Sequence, residues 1–267
     1  MKKTIVFHPL FLACVCTVLL ISPLHSSSQW KLIWSDEFKK EGLPDPAKWD
    51  YDIGGNGWGN NELQYYTKAR KENARIENGK LIIEAHREPF EGKEYTSARL
   101  VTRDLASWSS GKVEVSAKLP SGLGTWPAIW MLANTNPFKW PDDGEIDIME
   151  HVGYDQGVVH ASVHTKKYNH IIGTQKTNRI NVPDCSTAFH KYQMEWDNDS
   201  LRIGIDDNYY YSFKNEHTGY EVWPLSNKFY LLLNLAVGGN WGGQKGVATD
   251  IWPRRMEVDY VRIYQKK

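Results

Sequence analysis

Evenly spaced short runs of alternating or β-branched residues, broken by turn formers, leave this chain few ways to fold. Lys80-Leu-Ile-Ile-Glu-Ala-His86, Ser97-Ala-Arg-Leu-Val-Thr102, Gly111-Lys-Val-Glu-Val-Ser-Ala-Lys118 and Val158-Val-His-Ala-Ser-Val-His164 read as strands. Asn78-Gly79, Asp104, Pro120-Ser-Gly122 and Asp206-Asp-Asn208 supply the turns between such runs. Later runs cover Lys191–Trp196, Leu201–Asp206, Lys228–Leu235 and Met256–Gln265. Successive side chains of a strand point to opposite faces, so each run can bury one face and leave the other wet. Helical periodicity is absent, with at most a turn near Pro46-Ala-Lys48. The expectation is an all-β fold, an antiparallel β-sandwich, and 267 residues suit one large domain of that kind.

Residues 1–28 stand apart from this pattern. A basic start at Met1-Lys-Lys3, an apolar run from Pro9 to Ile21 and small residues at Ser26-Ser-Ser28 have the shape of a secretory signal peptide. The run is short for a membrane span. Export is therefore expected, to the periplasm or the outside, with residues 29–267 as the folded domain. Cys14 and Cys16 leave with the signal, so Cys185 remains alone and no internal disulfide is expected. The 32 basic and 32 acidic residues cancel, which argues against a nucleic-acid or membrane-surface binder. The 12 Trp and 14 Tyr are numerous enough to fill a core and still leave rings for a groove, where they can stack on sugar C–H faces.

The chemistry concentrates in Trp140-Pro-Asp-Asp-Gly-Glu145-Ile-Asp147-Ile-Met-Glu150-His151. Alternation puts Glu145 and Asp147 on one strand face and Ile146 and Ile148 on the other, but it sends Glu150 to the apolar side. A β-bulge at Ile148-Met149 adds one residue and restores parity, bringing all three acids together. Like charges so close repel, so at least one proton is expected to stay there near neutral pH. His151 then points away from the acids. A solvated acidic face or a hard-cation site is one reading of such a trio. The other is a glycosidase, which needs a nucleophilic carboxylate and a protonated acid flanking one glycosidic bond, roughly 5–5.5 Å apart in a retaining enzyme.

Gly144-Glu-Ile-Asp-Ile-Met-Glu-His-Val-Gly153 resembles the signature of glycoside hydrolase family 16 in its laminarinase-like form. The resemblance runs from Trp34-Ser-Asp-Glu-Phe38 to Val258-Asp-Tyr-Val-Arg-Ile-Tyr264. Between them lie Asn60-Asn-Glu-Leu-Gln-Tyr-Tyr-Thr67, Ser97-Ala-Arg-Leu100, Trp126-Pro-Ala-Ile-Trp-Met-Leu132 and Leu233-Asn-Leu-Ala-Val-Gly-Gly-Asn-Trp-Gly242. It implies a β-jelly roll with a concave sugar cleft, and a retaining endo-β-1,3-glucanase acting on laminarin-type glucans. Glu145 is the implied nucleophile, Glu150 the acid/base and Asp147 the carboxylate that tunes them.

The same resemblance gives Trp126 and Trp130 as stacking platforms, which share a face because they lie an even number of residues apart. Trp140 stands just before the acids. Asn60 and Arg99 are expected to meet sugar hydroxyls or steady a carboxylate, and His164 to hydrogen-bond Asp147 or a sugar. Asn234 and Trp241 are expected at the cleft edge. No catalytic cofactor is implied, but a structural calcium is, near Glu37, Gly79 and Asp259; two acids and a carbonyl suit that ion. The expected partner is β-glucan, met by a monomer. Agarases, carrageenases, mixed-linkage glucanases and transglycosylases share the motif or its acids, and a glucan-recognition domain shares the fold. The neutral charge balance favours a neutral glucan over a sulfated galactan.

Overall fold

The computed structural model describes residues 1–4 and 30–267, so the expected signal peptide, with Cys14 and Cys16, falls almost wholly outside the described residues. Two sheets face each other. The seven-stranded sheet runs Lys176–Asn181, Val158–His164, Glu145–His151, Thr125–Ala133, Phe229–Val237, Arg99–Val101, Asp50–Tyr51, every pair antiparallel. The main path of the ten-stranded sheet runs Asn208–Lys214, Ser200–Ile205, His190–Trp196, Gly111–Lys118, Arg254–Lys266, Lys80–Phe90, Lys93–Ser97, Gln64–Tyr66. Trp30–Asp36 joins it on Arg254–Lys266, and Ala74–Glu77 on Lys80–Phe90. Among the described residues there is no α-helix, only single 3-10 turns at His170–Ile172 and Pro224–Ser226. The architecture is an antiparallel β-sandwich of jelly-roll type.

Alternation decides what lies between the sheets. Val159, Ala161 and Val163 are fully buried in the core, as are Ile129, Met131, Leu231, Leu233 and Leu235 from neighbouring strands. Val113, Val115, Met194, Val258, Val261 and Ile263 meet them from the ten-stranded sheet. Each such buried aliphatic contributes about 1.5–3 kcal/mol relative to exposure. The intervening residues of the seven-stranded sheet, among them His160, Ser162, His164, Ala128, Trp130 and Asn234, face outward into a cleft. Cys185 is buried and unpaired with another cysteine.

One expected strand is two. The run Ser97–Thr102 breaks at Ala98: Lys93–Ser97 lies in the ten-stranded sheet, and Arg99–Val101 in the seven-stranded one. The Ser97 hydroxyl donates to the Leu235 carbonyl at 2.6 Å, tying the crossing to the second sheet. A change of sheet that keeps the alternation leaves no mark in the periodicity. Lys93–Ser97 also pairs with Gln64–Tyr66 in parallel, the one parallel pair among the described strands.

Candidate active site

The acid strand carries the bulge at the expected place. Asp147 lies opposite Trp130 on one neighbour and Ser162 on the other, and Glu150 lies opposite Ala128 and His160. Three steps on the acid strand thus match two on each neighbour. Ile148 and Met149 both turn into the core, each with 0% exposure, and Glu150 returns to the face of Glu145 and Asp147. His151 is buried on the core side, its Nδ1 2.9 Å from the Val158 carbonyl oxygen. Gly144 opens the strand at φ +91°, where a Cβ would stand 2.9 Å from Pro224 Cγ and 3.2 Å from Phe229 Cζ.

The two glutamates have like partners and the aspartate a different one. Trp140 Nε1 donates to Glu145 Oε2 at 3.0 Å, and Trp126 Nε1 donates to Glu150 Oε1 at 3.0 Å. His164 Nε2 stands 3.3 Å from Asp147 Oδ2 and 3.8 Å from Glu145 Oε1. Burial pushes all three carboxyls up, to about 8. The charge on Asp147 adds to this for Glu145 and Glu150, while His164 opposes it at Glu145 and the Trp126 N–H opposes it at Glu150. The trio therefore holds protons at neutral pH. The cleft encloses about 880 Å³, room for a ligand of several rings.

Asn60, Arg99, Trp126, Trp130, Trp140, His164, Asn234 and Trp241, the residues expected to meet sugar, all line the cleft that holds the acids. Two of the indoles are more constrained than open stacking platforms. Trp126 is only 9% exposed and meets Trp241 edge-on at 5.5 Å. Trp130 donates to Asn234 Oδ1 at 2.7 Å, and the Arg99 guanidinium lies 4.6 Å from its ring centroid. On its other side Arg99 lies 4.7 Å from the Trp58 ring, and its Nε is 3.0 Å from Asp52 Oδ2. Arg99 is thereby a fixed cation in the wall.

Several cleft residues escaped the sequence reading. His160 and Ser162 line the cleft, and their even spacing from His164 would have found them. Glu62 lies two residues beyond Asn60 in the same motif. Trp58 sits at φ 49° in a glycine-rich loop, where no period signals orientation. That loop is sewn to the glycine-rich segment after Val237. Asn240 N donates to Asn60 O at 2.7 Å, Leu63 N donates to Val237 O at 2.9 Å, and Glu62 bridges Gly238.

Among the described residues, Glu145, Asp147 and His164 are the group whose ligand atoms, within 4.8 Å of one another, could share a metal ion. The residues expected near calcium lie away from the acids. Trp30–Asp36 and Lys80–Phe90 pair with Arg254–Lys266 end to end, Asp36 opposite Val261 and Leu81 opposite Val258, with Asp259 at the junction. The Glu37 carboxylate there is gripped twice by Arg262, at 2.9 and 2.8 Å. The Asp259 carboxylate at the junction is exposed, an oxygen donor of the kind a hard cation takes.

A trio of acids, Asp147 buried and the two glutamates half-buried, on the outer face of a jelly-roll sheet and in a cleft walled by indoles, is the equipment of a glycoside hydrolase. The comparisons name the family. The chain belongs to glycosyl hydrolases family 16, whose sequence model matches residues 61–262. It is 55% identical over 258 residues to a β-glucanase of Rhodothermus marinus, spanning 94% of this chain and 90% of that one. The crystal structure of the laminarinase from Rhodothermus marinus matches with a TM-score of 0.88 at 56% identity, over 90% of this chain and 98% of that one. A variant of a non-specific endo-β-1,3(4)-glucanase of family GH16, co-crystallised with 1,3-β-D-cellotriosyl-glucose, matches with a TM-score of 0.87 at 48% identity. That match covers 90% of this chain and 96% of the other.

Proposed function

We propose that this chain is an exported endo-β-1,3-glucanase that cuts laminarin-type glucans with retention at the anomeric carbon. The observation that carries the roles is the unlike surroundings of the acids. Glu145 and Glu150 each accept from a neutral indole, but Glu145 and Asp147 stand nearest His164, whose Nε2 lies 3.8 and 3.3 Å from their carboxylates. We assign the first proton lost to the Glu145–Asp147 pair, the acids nearest His164, and the proton that stays to Glu150. Glu145 attacks the anomeric carbon while Glu150 protonates the departing oxygen. Glu150, now a carboxylate, takes a proton from the water that hydrolyses the glycosyl-enzyme. Asp147, between them, orients Glu145 through His164 and holds back its ionisation. No cofactor enters this chemistry.

The substrate rests on the relatives, a β-glucanase and laminarinases. Likeness to the non-specific endo-β-1,3(4)-glucanase supports a second reading, that mixed-linkage glucan is cut as well. Laminarin, lichenan, agarose and carrageenan assayed side by side test both. Laminarin chain length is expected to fall before much glucose appears, and proton NMR in the first minutes should find the new reducing ends as the β-anomer. Initial α-anomer would refute double displacement. Cleavage of agarose or carrageenan alone would keep the mechanism and replace the substrate. The signal at residues 1–28 and action as a monomer belong to the same proposal.

A structural calcium at the Asp259 junction completes it. An ion that binds only the native state stabilises it by about 2.7 kcal/mol at a hundred times its Kd, so a chelator is expected to lower Tm by roughly 5–10 °C. Initial rates well below Tm should not change. A Tm indifferent to chelator and to added calcium would remove the ion from the account.

A further inference from the structure

A fourth carboxyl faces the cleft, and the polarity of its hydrogen bonds fixes which of its atoms is available. Trp130 Nε1–H can only donate, and it donates to Asn234 Oδ1 at 2.7 Å. That sets the Asn234 amide, whose Nδ2 donates to the Tyr66 hydroxyl at 3.0 Å. The Tyr66 hydrogen in turn goes to Glu62 Oε2, at 3.3 Å. A second chain converges on the same oxygen: Val237 N donates to Gln64 Oε1 at 2.7 Å, so Gln64 Nε2 must donate, and it meets Glu62 Oε2 at 2.6 Å. Tyr66 and Gln64 are 0% exposed, Asn234 6% and Glu62 7%, so water does not compete for these partners. Both chains end on Oε2 as donors. The Asn60 side chain is a further hydrogen-bond partner of this carboxyl, and the acceptor capacity that these partners leave lies chiefly on Oε1.

Glu62 lines the cleft beside Asn60, Arg99 and Trp126. It packs against the same point of the Gly239 backbone as Trp126: a Cβ built there lies 3.3 Å from Glu62 Cγ and 3.2 Å from Trp126 Cζ3. Trp126 is the indole bonded to Glu150. From this geometry we infer that Glu62 is a substrate-binding residue, whose Oε1 accepts a hydrogen bond from a hydroxyl of a glucosyl unit lying alongside Trp126 and Arg99. The inference rests on reading the cleft as a glucan site. It adds a carboxylate beside the catalytic trio, close enough for its charge to act on Glu150, and braced by a network that the acids do not use.

Glu62→Gln separates binding from bracing. A glutamine can still accept from Tyr66 and Gln64 through its oxygen, but it turns an N–H donor toward the cleft. The expected result is a Tm within about 2 °C of wild type and a kcat/KM on laminarin lowered roughly 10- to 100-fold, as for the loss of a hydrogen bond to a charged group. In the inactive Glu145→Gln background, adding Glu62→Gln should raise the calorimetric Kd for laminarihexaose by a similar factor. Wild-type kcat/KM and Kd in these variants would overturn the inference and leave Glu62 as a brace only. If Glu62→Gln does not fold, a crystal structure of Glu145→Gln with laminarihexaose decides instead. A sugar hydroxyl within hydrogen-bond distance of Oε1 supports the inference, and its absence refutes it. If the wild type leaves laminarin intact, the proposed function fails on its own. Glu62 is then judged by the same fold-change on whichever of lichenan, agarose or carrageenan is cleaved.

Discussion

Replacing Glu145 with glutamine is expected to lower kcat on laminarin by roughly 10⁴-fold or more, and an activated aryl leaving group should not rescue it. The amide is isosteric and keeps a hydrogen bond from Trp140 Nε1 possible, so the fold should survive. What is lost is the nucleophile. Glu150→Gln is expected to behave differently, because its first task is to supply a proton. With an aryl leaving group that needs none, glycosylation should approach wild-type rates, and the hydrolytic step should become limiting. On laminarin the loss should be roughly 10²–10⁴-fold. The alkaline limb of the wild-type profile belongs to the same group: burial holds the Glu150 carboxyl well above the usual carboxylate range, so activity falls as pH rises through its raised pKa. If Glu145→Gln were rescued by the aryl substrate and Glu150→Gln were not, the two roles would be reversed.

Gly153→Ala is expected to be the most damaging small substitution outside the trio. A Cβ there would lie 1.8 Å from the Gly122 carbonyl oxygen and 2.6 Å from its carbon. The obstacle is backbone, which cannot swing aside as a side chain would. Gly153 N also donates to Thr125 O at 2.9 Å, one residue before the tryptophan that holds Glu150. We expect a loss of roughly 3–5 kcal/mol, a fall in Tm of about 10 °C or more, and a matching loss of activity. Gly42→Ala is the comparison: its φ of +117° strains any side chain, yet nothing lies within 4 Å of the added carbon. It should cost only about 1 kcal/mol. A Gly153→Ala protein melting within 2 °C of wild type would show that the loops around Gly122 yield easily.

The sequence was most informative where one rule acted alone. Strands such as Gly111–Lys118 and Val158–His164 were legible to the residue, since one face packs in the core and the other does not. The bulge was legible because three acids and two adjacent apolar residues cannot all be satisfied by strict alternation. Strand partners were not legible. Nothing local says that Arg99 lies beside Asn234, or that the chain changes sheet at Ala98. Thr125–Ala133 holds Pro127 mid-strand, and the proline is accommodated where pairing with the acid strand has already ended at Ala128. Site residues carried by loops were the hardest. Trp58 and Glu62 acquire their places from the seam with Val237–Asn240, a contact between segments far apart in sequence.

That seam has a consequence for the thermodynamics of capture. Main-chain bonds between residues 57–63 and 237–243 hold this wall in place, so its conformational freedom is surrendered when the chain folds and not when sugar arrives. A glucan settling against it pays for its own ordering and for displaced water, with little added from the protein. Association should then be a single step without a slow isomerisation, and the main-chain amides of the seam should show the same hydrogen-exchange protection with and without laminarihexaose.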